Sequence, residues 1–167
     1  HLTELAKKHS SVKFIGVSTW EDNDKKQVQE FVAKMGDKMG YTVAYSGNKD
    51  GMAASWLDPA KQTGIPTSFI VKDNVIQWIG HPANLEKPLI QLEKNEFDIP
   101  TARKKFETQI AAREAEAKLR LDIETCDKLY DSGKVAEAKL KLNQVEQTAD
   151  GKGAAEELRF KWQSIEN

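Results

Sequence analysis

Gly64-Ile65-Pro66-Thr67-Ser68-Phe69-Ile70-Val71 is the stretch that decides the reading of this chain. A proline cannot donate to a strand ladder, so Pro66 belongs at the first position or the edge of the strand that follows it. An X-Pro bond at a tight approach to a strand is also a candidate cis bond. Beyond it, residues 67–72 and 75–79 are two apolar runs separated by Asp73-Asn74, a two-residue hairpin signal. With those two residues as the turn, simple pairing sets Phe69 opposite Trp78 and Thr67 opposite Gly80. Pro66 then lies beside His81.

Upstream, strand and helix alternate. Leu2 to His9 reads as the end of a helix, with Leu2, Leu5 and Ala6 on one face. Val12 to Ser18 is an apolar, β-branched run of the length of a buried strand, and Phe14–Ser18 is predicted to be interior. Glu21-Asp22-Asn23-Asp24 supplies capping carboxylates for a helix whose Val28, Phe31, Val32 and Met35 recur at helical spacing. Thr42–Tyr45 is a short strand and Met52–Leu57 a helix stopped near Pro59. Leu85–Glu93 closes the region as a helix. The order is α-β-α-β-α-β-β-α.

All five prolines fall in the first hundred residues, and after Pro100 the composition turns to helix formers. This predicts one domain over residues 1–98 and a helical extension over 101–167. One apolar face runs through Phe106, Ile110, Leu119, Ile123, Cys126 and Tyr130. Asp131-Ser132-Gly133 breaks the helix. Val135, Ala138, Leu142 and Val145 form a second stripe, and Ala155, Leu158, Trp162 and Ile165 a third. One helix–turn–helix of this kind resembles a single tetratricopeptide unit, but that signal needs several copies. A plain helical hairpin is the preferred reading.

Composition narrows the function. Lys+Arg total 25 and Asp+Glu 26, with 12 basic and 13 acidic groups in residues 1–100 and 13 of each in the rest. Neither part carries the basic stripe of a nucleic-acid binder. No segment has the length and apolarity of a membrane span, and no signal peptide is visible. His1, His9 and His81 lack metal-site spacing, so neither a metal nor a cofactor is expected. Cys126 is the only cysteine, which excludes an internal disulfide and a C-x-x-C motif. Its place on an apolar helix face marks it as a small buried hydrophobe.

Gly64-Ile65-Pro66-Thr67 followed by Phe69-Ile70-Val71-Lys72-Asp73 resembles the cis-proline loop and hairpin of thioredoxin-like proteins. Trp78-Ile79-Gly80-His81-Pro82, with Leu85 and Pro88-Leu89, is similar to redoxin and TlpA-type thiol-disulfide oxidoreductases. The resemblance spans residues 1–94. It implies a three-layer α/β/α sandwich, truncated at its N-terminus, and a cis Ile65–Pro66 bond. It places the catalytic C-x-x-C before His1, which makes this chain redox-inactive by itself. It also implies protein or peptide thiols and disulfides as partners and an extracytoplasmic, periplasmic location. The substrate-binding residues it implies are Ile65, Pro66, Thr67 and His81. The Ile65 backbone would pair with substrate on a very short scale, and Pro66 would keep metals and bulky groups off the thiols.

Two further readings stay open on sequence. A peroxiredoxin would also have its cysteine upstream, but that family lacks a proline at the Pro66 position and places an arginine nearby. Residues 1–100 contain no arginine. The other is a cysteine-free thioredoxin-like adaptor whose helical extension is the interaction surface. Trp20, just after the first strand, falls where open α/β sheets bind ligands, although an aromatic there more often packs under a loop.

Overall fold

Asp73 and Asn74 both adopt positive φ, 53° and 61°. This is the geometry that matches a two-residue turn to the twist of its flanking strands. In the computed structural model, which describes residues 1–21 and 25–166, this turn joins two antiparallel strands. The chain divides into two units, His1–Arg103 and Lys104–Asn167.

The first unit is mixed α/β. Its elements are α1 (Leu2–Lys8), β1 (Ile15–Ser18), α2 (Lys25–Met35), β2 (Thr42–Tyr45), β3 (Ser68–Lys72), β4 (Val75–Gly80) and α3 (Glu86–Glu93), with α4 starting at Ile99. Met52–Leu57, expected as an ordinary helix, contains a π-helical turn over Ala53–Leu57. The capping residues Asp22, Asn23 and Asp24 lie outside the described residues. The strands form two separate sheets of two strands each, β1 parallel to β2 and β3 antiparallel to β4.

The hairpin shares one core with α1 and α3. Leu5 of α1, Ile70 of β3, and Leu85, Leu89 and Leu92 in and before α3 are buried together. Val12 and Phe14, on the approach to β1, and Trp78 of β4 pack against them. Burying each such side chain contributes about 1.5–3 kcal/mol. Polar ties reinforce the α1–α3 packing. His9 Nδ1–H donates to Glu93 Oε2 at 2.7 Å, and the Ser11 hydroxyl donates to Glu93 Oε1 at 2.8 Å.

Three expectations are corrected. The hairpin register is simple only beside the turn, where Lys72 faces Val75 and Val71 faces Ile76. A bulge at Gln77 then shifts it, so that Ile70 faces Trp78, Phe69 faces Ile79 and Ser68 faces Gly80. An extra residue in one strand moves everything beyond it to the other face. Here the shift puts Trp78 on the same face as buried Ile70, and the core rewards that. Second, β1 is not interior, because it pairs with β2 alone and Ile15 is 53% exposed. Third, α2 forms as predicted but buries none of its described residues, and Phe31 is 55% exposed.

In the second unit, the C-terminal part of α4 (Ile99–Asp131), α5 (Val135–Glu146) and α6 (Gly151–Glu166) enclose a separate core. Cys126, Ala138, Leu142, Val145, Ala155, Leu158 and Trp162 are buried there, with Leu119, Ile123, Leu129 and Tyr130 packed against them. Gly133, at φ 81°, turns the chain after α4. Ion pairs link each helix to the others: Asp122 to Lys141, Glu146 to Arg159, and Asp127 to Lys161. Three stripe residues behave differently from expectation. Ile165 is 60% exposed, because the core ends at Trp162. Phe106 and Ile110 are half-buried and belong to neither core.

Candidate functional site

The loop before β3 is held by its own polar groups. The Thr67 hydroxyl donates to Gly64 O at 2.9 Å, closing the loop around Ile65 and Pro66. The Ile65–Pro66 bond is cis, as predicted. Ile65 and Pro66 are exposed and Thr67 is half-buried, so the loop offers backbone and apolar surface to solvent.

His81 directly follows β4. Its Nδ1 accepts from Ala83 N–H at 3.2 Å, capping the short 3-10 turn Pro82–Asn84, and the residue is exposed. The bulge changes the pairing beside it. The last pair is Ser68–Gly80, so Gly80 faces Ser68 and not Thr67, and the ladder stops before Pro66 and His81. Behind the loop, Phe69 meets Trp56 edge-on, with ring centroids 5.3 Å apart and planes at 88°. This edge-to-face geometry suits aromatic quadrupoles. It covers the face of β3 that Ile70 does not use.

The carboxyl ends of β1 and β2 are tightly built. Ser46 N–H donates to Ser18 O and Trp20 N–H donates to Asn48 O. Trp20 holds φ 59°, a left-handed conformation uncommon for a bulky side chain. In the facing loop Gly51 has φ 57°, and a Cβ there would lie 2.8 Å from Ser46 O, so only glycine fits. Thr19, between Ser18 and Trp20, is buried, and its hydroxyl has no hydrogen-bond partner among the described residues. Sequence reading missed Thr19, since a threonine ending an apolar run carries no signal of its own.

An open cleft of about 470 Å³, lined by Ala6, Phe14, Met39, Gly40, Tyr41 and Thr42, lies at the opposite, amino end of β1 and β2. Among the described residues no group of three or more His, Cys, Asp or Glu side chains could hold a metal ion. No described helix is long and apolar enough to cross a membrane. Cys126 is fully buried in the helical unit, and desolvation pushes its thiol pKa up, away from the reactive thiolate. Comparison of the chain with protein families, with characterised proteins and with solved structures finds no match.

Proposed function

We propose that residues 1–98 are the substrate-facing part of a thioredoxin-like α/β/α domain in a thiol-disulfide oxidoreductase. Its catalytic cysteines would lie on polypeptide preceding His1. One observation carries the reading: β1 pairs with β2 alone and β3 with β4 alone, so each two-stranded sheet keeps an unpaired edge. A two-stranded sheet is marginal alone. A strand between β1 and β3 would join the two into one mixed sheet and bring its own carboxyl end beside the Ile65–Pro66 loop.

In the chemistry proposed, a cysteine thiolate attacks one sulfur of a substrate disulfide. The substrate S–S bond breaks, and the departing sulfur takes up a proton. The second cysteine then attacks the first cysteine's sulfur in the mixed disulfide; a new S–S bond joins the two cysteines and the remaining substrate sulfur leaves as a thiol, so the dithiol is oxidised as the substrate is reduced. The Ile65 backbone would receive the extended substrate chain, with Pro66, Thr67 and His81 bordering it. Substrates of this class are protein or peptide disulfides.

The helical unit fits one tetratricopeptide-like unit plus a following helix. Asp127 accepts hydrogen bonds from Lys161 and Trp162, 34 and 35 residues away, close to the period of that repeat. The adaptor reading has less support. Exposed Leu121, Leu140 and Phe160 sit on the outward sides of three different helices, not on one stripe.

Insulin reduction with a thiol donor tests the proposal. Residues 1–167 should show no turnover above the donor alone, while the polypeptide as encoded should turn over. An encoded polypeptide without a dithiol, or turnover by residues 1–167, would refute it.

A further inference from the structure

Among the described residues of α4, only Cys126 is buried, and Leu119, Ile123 and Tyr130 share its side of the helix. A second line runs along the same helix. Arg113, Ala117, Arg120 and Glu124 recur at spacings of four, three and four, with Glu116 and Leu121 beside them. At about 100° per residue, this line lies about 130° around the helix from the buried stripe. The six residues border a shallow groove of about 390 Å³, and all are exposed, Leu121 by 63%.

The charges along the line alternate in sign: Arg113, Glu116, Arg120, Glu124. Such spacing also suits pairing within one helix, but the helix makes little use of it. Glu124 meets Lys128 at 2.6 Å, and Arg120 acts on Glu124 only at longer range. Arg113, Glu116 and Arg120 form no ion pair among the described residues. Read in reverse, the order Arg, Glu, Arg, Glu is its own charge complement. That is what an antiparallel copy of the same helix presents, whereas a parallel copy sets like charge against like.

We propose that the helical unit self-associates through this line, two α4 helices lying antiparallel about a two-fold axis between residues 118 and 119. Arg113 then faces the second copy's Glu124, and Arg120 reaches the second copy's Glu116. The axis repeats both pairs, as an isologous contact requires. Ala117, near the axis, lets the backbones approach, and Leu121 removes apolar surface from water. The segment covers about 18 Å of helix, which keeps the interface below the roughly 1,200 Å² that stable complexes bury. The dimer is therefore weak. The proposal uses residues of the helical unit alone and is independent of the oxidoreductase reading.

Sedimentation of the 167-residue chain carrying Ile15→Lys, which blunts the open β1 edge, reads the association. Two variants of that parent each remove one sign. R113E/R120E makes the line wholly acidic, and E116R/E124R makes it wholly basic. Each alone should raise the dimer dissociation constant about tenfold or more, because every cross-axis pair becomes repulsive. An equimolar mixture of the two makes every pair attractive again and should associate within about threefold of the parent. Effects confined to one helix cannot be rescued by mixing. Circular dichroism follows the fold, and helix lost in one variant but regained in the mixture also supports the proposal. A parent that stays monomeric at millimolar concentration, variants that associate as the parent does, or a mixture no more associated than its components each overturns it.

Discussion

Glu93 ties α3 to His9 and Ser11, just beyond the end of α1. Hydrogen bonds from Ser11 and then His9 hold its carboxyl below the usual carboxylate range. A lowered folded-state pKa contributes stability that is present above the unfolded value, about 4.3, and is lost as pH falls through the folded one. Glu93→Gln cannot titrate, so Tm of the parent should fall more steeply than that of E93Q as pH drops from about 5 toward 3. Parallel Tm–pH curves would show that the contact contributes nothing. At Cys126 the sign is opposite: burial raises the thiol pKa, and the group is enclosed by Ala138, Leu142 and Trp162 in the same core. Labelling by a thiol-reactive dye should therefore be slow in buffer and complete in denaturant. Fast labelling of the folded protein would mean that the helical core opens readily.

Among the elements, the hairpin holds the most information. Its turn was legible because Asp and Asn tolerate positive φ, and its strands because they are apolar runs bounded by turn residues. The bulge at Gln77 was not legible, because nothing local distinguishes it from an ordinary strand position. It forms because Trp78 gains more by joining Ile70 over α1 and α3 than one ladder pair is worth. Deleting Gln77 should remove the bulge and leave the pairs as they are, Val71 with Ile76 and Ile70 with Trp78, so that Trp78 stays on the core face. The expected outcome is a cooperative urea transition with tryptophan emission close to that of the parent. A shifted emission in the folded variant would refute this account of the register. In the helical unit the three- and four-residue spacing correctly marked Ile123, Cys126, Tyr130, Leu142 and Val145, since helix periodicity depends only on local geometry.

At the scale of the molecule, the strands of the first unit pair only two by two. β1 and β3 each present an unpaired edge, and Ile15 and Phe31 leave apolar surface in water. Open edges template pairing with other chains. Residues 1–167 should accordingly show concentration-dependent association in sedimentation, reduced by Ile15→Lys. A strictly monomeric parent at high concentration would contradict that. The sequence by itself determined the succession of elements, the two-residue turn and the buried stripe of the helical unit. Each of these is written in the spacing and backbone preferences of residues close together in the chain. Only the tertiary structure decided that β1 is an edge strand, that α2 covers no core, that Ser68 rather than Thr67 faces Gly80, and that the Thr19 hydroxyl is buried without a partner among the described residues. Those outcomes depend on which distant side chains compete for one core, a competition between α1, α3 and the hairpin that no local window of sequence contains.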